Sequence, residues 1–215
     1  MLIYTGNSDG KKLEKVVELD LGIMISSSAN KAPSKSYNRV PCALDNGAFS
    51  CWQRGFPFME NVFLDTLQKA HKNGLRLGFI VCPDIVAGGL RSLKFSLKWL
   101  ERFESASNMA IAVQDGMSPR DLDKIDLLGS YPNISFLFVG GTVDWKWETA
   151  ESWINYAHDN GKGCHIGRCG TLDKLQAAYL LGADSVDSTN FARNESWSTI
   201  EAFYEWKESI GNPNG

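Results

Sequence analysis

The chain alternates short runs rich in β-branched and aromatic residues with longer runs whose apolar positions recur every three or four residues. That alternation is the pattern of parallel strands joined by crossover helices. Strands are expected at residues 2–5, 22–27, 42–45, 77–82, 109–114, 135–139, 163–166 and 185–188, eight in all. Helical spacing predicts helices at 11–19, 59–73, 90–105, 118–128, 145–160, 171–181 and 196–209. Punctuation agrees with this phase: Ser118-Pro119 reads as an N-cap and first-turn proline, and Gly74, Gly161 and Gly182 fall just past helix ends. Residues 29–40, polar and containing Pro33, break the pattern and read as a loop, either a lid or a plain surface connection.

Eight strands with helices between them, and no internal repeat or linker, predict one α/β domain. The expected fold is a compact (β/α)8 TIM barrel over residues 1–210, with 211–215 as a frayed tail. A length of 215 residues with 43% hydrophobic content suffices for one sizeable core. No apolar run reaches the roughly 20 residues that span a bilayer, and the N-terminus lacks the charged-then-apolar order of a secretion signal. The five cysteines, odd in number and mostly in strand-like surroundings, suit reduced thiols. A cytoplasmic protein without membrane contact is therefore expected. The net charge of −3 argues against a uniformly basic surface. Local clusters such as Lys31, Lys35 and Arg39, or Arg91, Lys94 and Lys98, are either solvated charge or contacts for a few phosphates.

Unusual polar residues gather where strands end. Asp45-Asn46-Gly47, Pro83-Asp84, Gln114-Asp115-Gly116, Gly140-Gly141, His165 to Arg168 and Asp187-Ser188 each close a strand. In a closed parallel barrel those ends converge on one mouth, where barrel enzymes hold their chemistry. Singly, each has an ordinary structural explanation, since an aspartate after a strand caps the next helix and paired glycines turn the chain. Asp84, flanked by Pro83 and Ile85-Val86, is expected to be partly buried, and a buried carboxylate needs a partner or a substrate. Three carboxylates around one mouth suit glycosidic-bond chemistry, in which one attacks the sugar and another moves the proton of the leaving group. They also suit a metal. Against a metal stand the scattered histidines: His71 and His158 lie in helical patterns, only His165 is directed to the mouth, and Cys164-His165 with Cys169 is too compact for a standard zinc site. No metal or cofactor is expected.

These motifs, in order, resemble the tRNA-guanine transglycosylase superfamily, which includes relatives that place 7-deazaguanine bases into DNA. Leu44-Asp45-Asn46-Gly47-Ala48-Phe49 is similar to that family's Asp-Ser/Asn-Gly-Gly-Phe/Tyr segment. Ala112-Val113-Gln114 resembles the strand ending in a base-reading glutamine, and Gly140-Gly141 the paired glycines whose backbone contacts the base. Residues 182–189, Gly-Ala-Asp-Ser-Val-Asp-Ser-Thr, resemble the segment ending in the nucleophilic aspartate, and His165-Ile166-Gly167 with Gly170-Thr171 resembles the stretch before it.

The resemblance implies Asp187 as nucleophile on the sugar C1′ and Asp45 as the proton-handling group. Asp84, Gln114, Gly140 and Gly141 would hold the base, and His165 falls in the matched stretch; Asp115, where the family usually has glycine, and Arg168 join the substrate site by their place at the strand ends. It implies a nucleic-acid substrate with a free nucleobase as the second reactant. The family's Cys-x-Cys-x-x-Cys zinc motif is absent from this sequence, so DNA is expected rather than tRNA, in a phage or defence-related modification setting. In duplex DNA the nucleotide would be extruded, with Phe49, Trp52 or Trp145 filling the vacated stack. Three alternatives stay open: hydrolysis with the same residues, a phosphate-binding lyase or isomerase using Gly140-Gly141 as the phosphate cradle, and a barrel that only binds nucleic acid or a protein partner.

Overall fold

Successive residues of a strand face opposite ways, and in this chain the two parities differ in character. The computed structural model of the protein describes residues 1–28, 32–103 and 108–211. Among the described residues, eight strands pair in parallel in sequence order: β1 (Leu2–Thr5), β2 (Gly22–Ser26), β3 (Cys42–Asp45), β4 (Leu77–Val81), β5 (Met109–Val113), β6 (Ile134–Val139), β7 (Gly163–Ile166) and β8 (Ser185–Ser188). β8 pairs back onto β1, with Tyr4 opposite Asp187, and the barrel is closed. The fold is the (β/α)8 barrel that the alternation predicts, and every strand boundary falls within one residue of expectation.

One parity, which includes Ile23, Ile25, Leu44, Ile80, Ile111, Leu137, Ile166 and Val186, packs outward into the large buried cluster shared with the helices. The other parity fills the barrel. Tyr4, Met24, Ala43, Phe79, Val81, Ala110 and Ala112 form a second buried cluster, against which Phe136 and Phe138 pack. Two residues further along the same inward-facing rows, the side chains turn polar: Ser26 follows Met24, Asp45 follows Ala43, and Gln114 follows Ala112, while in β8 both Ser185 and Asp187 are polar. The register places Ser26 beside Asp45. An apolar plug thus forms the floor on which the polar residues at the strand C-termini stand.

The surrounding helices are α1 (Gly10–Glu18), α2 (Ala48–Gln53), α3 (Glu60–Lys72), α4 (Leu90–Arg102), α5 (Pro119–Asp123), α6 (Leu127–Ser130), α7 (Val143–Asp159), α8 (Leu172–Leu180), α9 (Asn190–Arg193) and α10 (Trp197–Ile210). Their apolar stripes explain their placement. In α3 the buried residues Phe63, Thr66, Leu67 and Ala70 follow helical spacing. Phe63 meets Trp99 of α4 edge-on, with ring centroids 5.9 Å apart.

Three expectations need correction. Residues 118–128 are two short helices rather than one, because Asp126 takes the left-handed conformation with φ 45°, a region that aspartate reaches more cheaply than most residues. The loop expected at 29–40 contains a 3-10 turn, Lys35–Arg39. Arg39 clamps Glu14 with contacts of 2.6 and 2.8 Å, and Asn38 donates to the Asn73 carbonyl at 3.0 Å; residues 29–31 lie outside the described residues. The short helices α2 and α9 were not expected. Of the tail expected to fray, only Gly211 is described.

Candidate active site

Asp187, the penultimate residue of β8, takes an inward-facing position, and its side chain is 15% exposed. Beneath it lies His165 of β7, fully buried and stacked on Phe138 with ring centroids 4.8 Å apart. The imidazole bridges two residues of one β8 face: Nε2 lies 3.0 Å from Asp187 Oδ1, and Nδ1 lies 2.8 Å from Ser185 Oγ. The Arg168 backbone N–H also donates to Asp187 Oδ1, at 3.2 Å. Both side-chain contacts thus converge on Oδ1, leaving Oδ2 without a hydrogen bond among the described residues. Gly167 makes room for this arrangement, since a Cβ there would stand 2.9 Å from the Phe138 ring and 3.4 Å from Asp187 Oδ1.

Asp45 ends β3 in the same mouth. The Gly47 N–H donates to its Oδ2 at 3.2 Å, with the Ser26 hydroxyl at 3.5 Å. Asp45 keeps partial solvent contact, yet burial pushes its carboxyl up to about 7, with the Asp187 and Asp84 charges adding to the rise. Asn46, the residue after Asp45, reaches Asp84 at 2.8 Å and so links the ends of β3 and β4.

Asp84 follows β4 and is held from two sides. Asn46 Nδ2 donates to its Oδ1 at 2.8 Å, and Gln114 Nε2 donates to its Oδ2 at 3.1 Å. Burial raises this carboxyl to about 6, and the two amide donors limit the rise. Asn46 is itself fixed, donating to the Cys82 carbonyl and accepting from the Ala48 N–H, both at 2.8 Å. Gln114 is 3% exposed, and its amide also engages Ser92 Oγ at 2.8 Å and the Gly88 N–H at 3.0 Å. Its place is behind Asp84, as a positioning residue.

Asp115, after β5, reaches across to the start of α7. Its Oδ2 accepts the Thr142 N–H at 2.8 Å and its Oδ1 accepts the Thr142 hydroxyl at 2.5 Å. Burial would raise this carboxyl, but the Thr142 hydrogen bonds and the Arg168 charge outweigh it and hold the group below its ordinary value. A carboxylate of the protein thus occupies the N–H of Thr142, the residue that opens α7, and stands where a phosphate at this helix end would meet a like charge. Gly140 follows β6 and donates its N–H to the Val113 carbonyl at 2.9 Å. Gly141, with φ 74°, leaves no room for a side chain: a Cβ would sit 2.6 Å from Asp115 Oδ2.

Arg168 has a left-handed backbone, φ 64°, which turns its exposed side chain back across the mouth. The guanidinium donates to the Gly141 carbonyl and stands 4.7 Å from the Phe49 ring centroid. Phe49 in turn meets Trp52 at 5.8 Å. Trp145 packs against Trp153 at 6.4 Å and belongs to the core.

The structure therefore brings all nine candidate residues to one end of the barrel, with different surroundings for each. Asp187, Asp45, Asp84 and Arg168 surround the mouth, His165 lies below Asp187, and Gln114, Asp115, Gly140 and Gly141 build the frame. Sequence reasoning placed Asn46 and Ser185 in motifs without giving either a role, and did not single out Lys146. Lys146 is 2% exposed, and its ammonium donates to the Gly167 carbonyl. The signal was in the helical phase, since Lys146 shares the buried stripe of α7 with Ala150, Trp153, Ile154 and Ala157.

Among the described residues, no group of three His, Cys, Asp or Glu side chains is arranged to hold a metal ion. The five cysteines are buried free thiols. No helix among the described residues is long and apolar enough to cross a membrane. A groove of about 480 Å³ lined by Tyr37, Val40, Pro41 and Arg76 lies at the strand N-termini, away from the carboxylates. No known family model matches the chain, and comparison with curated proteins gives no match.

Proposed function

We propose that the protein cleaves and re-forms the N-glycosidic bond of a nucleotide in nucleic acid, with DNA as the substrate and a free base of the 7-deazaguanine type as the second reactant. Asp187 attacks the sugar C1′. The C1′–N bond breaks, a C1′–O ester to Asp187 forms, and the base leaves with the bonding pair and a proton from Asp45. The incoming base then gives a proton to Asp45, its nitrogen attacks C1′, and Asp187 leaves as the carboxylate.

The observation that carries this reading is the difference between the two carboxyls. Asp45 holds its proton to about 7, which suits a group that must both give and take a proton near neutrality. Asp187 receives two N–H donors on one oxygen and keeps the other open, which suits a nucleophile. The Asp115 carboxylate held against Thr142, at the start of α7, disfavours the phosphate-cradle alternative by like charge. For a nucleic-acid partner, Trp52 and Phe56 are 55% and 59% exposed beside the mouth, with the exposed Arg54 between them, a sequence of stacking faces and positive charge suited to a nucleotide strand.

The test is incubation of the protein with DNA or tRNA and an isotope-labelled free base, followed by mass spectrometry of the nucleosides. Label in DNA supports exchange. An abasic site without label identifies hydrolysis, label in tRNA alone overturns the choice of DNA, and unchanged nucleosides in both overturn the reading.

A further inference from the structure

Lys146 stands where a cation is least welcome. It lies in the first turn of α7, its backbone N–H donating to the Thr142 carbonyl at 3.1 Å, at the end of the helix where the macrodipole is positive. It is 2% exposed. Burial lowers its ammonium to about 8, with repulsion from Arg168 and Lys174 opposed by attraction to Cys169 and Asp187. The Cys169 thiol is itself raised to about 12 by burial, so the carboxylate is the anion among these groups. A buried ammonium costs several kcal/mol unless its surroundings offset it, and an apolar side chain would serve the buried stripe of α7 without that penalty.

Its hydrogen bond explains the exception. The acceptor is the Gly167 carbonyl. The N–H of that same peptide group, carried by Arg168, donates to Asp187 Oδ1 at 3.2 Å. A peptide group is planar and resonant, so a cation on its oxygen draws electron density from the nitrogen and strengthens the N–H as a donor. The next peptide is also tied to the nucleophile's backbone, the Cys169 N–H donating to the Asp187 carbonyl at 2.7 Å. We propose that Lys146 is a positioning residue for Asp187, its charge and geometry relayed through the single peptide group that joins Gly167 to Arg168.

The catalytic consequence rests on the function proposed above. Asp187 leaves as a carboxylate in the second step, and a polarised N–H already aimed at Oδ1 stabilises that developing charge without reorganisation. The relay itself is a property of the resting protein and is measurable without substrate.

In nitrogen-15-labelled whole protein, the Arg168 amide proton is expected downfield, shifting upfield as pH rises through about 8 and Lys146 loses its charge. Lys146→Met is expected to hold that resonance upfield throughout, and Lys146→Arg to hold it downfield with no step near 8. Any step from Asp45, which titrates near 7, is common to all three proteins. A wild-type Arg168 amide with no alkaline step overturns the relay even if Lys146→Met does not fold. So does a folded Lys146→Met protein whose Arg168 amide matches wild type. In the base-exchange assay, Lys146→Met is expected to lower kcat about tenfold at unchanged KM, with Lys146→Arg restoring it. Failure of the exchange reading removes that kinetic effect and leaves the amide shift, so the two failures are distinguishable.

Discussion

His165 Nε2 lies 3.0 Å from Asp187 Oδ1, and the imidazole making that contact has no solvent exposure. An ionised carboxylate only accepts, so the pattern assigns the proton to Nε2 and leaves Nδ1 to accept from the Ser185 hydroxyl at 2.8 Å. The acceptor-only carboxylate of Asp187 thus sets the tautomer, and the Ser185 hydroxyl, able to donate or accept, complements it. His165→Phe fits an aromatic environment already containing Phe79 and Phe138 but removes the donor. We expect a folded protein whose kcat is lower by roughly 10²-fold at nearly unchanged KM, because a buried imidazole does not touch substrate. Steady-state kinetics beside a thermal melt check this.

Asp45 makes stability depend on pH in a defined direction. Its carboxyl ionises at about 7 in the folded protein against an ordinary 3.8, so across that window the folded chain binds more protons and stability falls as pH rises. Asp45→Asn carries no such proton. The variant is expected to be inactive in base exchange yet more stable than wild type above the window, by on the order of a few kcal/mol, with the advantage gone at the acid end. Denaturant titrations at both ends measure the difference.

Asp115 and Gly141 form one clamp on α7. Asp115→Ala removes the acceptor of both Thr142 donors and is expected to cost about 1 kcal/mol, lowering Tm by about 2–4 °C. Gly141→Ala combines a left-handed backbone with a Cβ 2.6 Å from Asp115 Oδ2. It is expected to cost about 1–3 kcal/mol, the larger loss of the two, as calorimetry would show.

Trp52 is 55% exposed and touches Phe49, so Trp52→Ala should leave the fold unaffected. On a DNA strand laid across the mouth it removes a stacking face, and affinity is expected to fall about tenfold. Fluorescence anisotropy at one fixed salt concentration decides the point; equal affinity of the two proteins removes Trp52 from the interface.

The strands and the carboxylates were legible in the sequence because both depend on local period. Asp45 and Asp187 each continue an inward-facing row by two residues, and that parity can be read without a structure. Depth cannot. His165 was expected at the mouth, but the register sets it opposite Ser185, one layer below Asp187. The stagger between strands that fixes such layers is a property of the closed barrel and not of any one strand. The frame was hidden for a related reason. Gln114 reaches Gly88 and, in the first turn of α4, Ser92, while Asp115 reaches Thr142, partners on other segments that leave no local trace. Lys146 is different, since the spacing of α7 already placed it on the buried face, and only the habit of assigning lysine to solvent concealed it.

The most direct measurement is intact-protein mass spectrometry after wild type is mixed with substrate DNA and denatured within a turnover. A covalent adduct mapping to Asp187, absent from Asp187→Ala, is the expected result. An Asp187→Ala protein that still turns over, or an adduct mapping to another residue, contradicts Asp187 as the nucleophile.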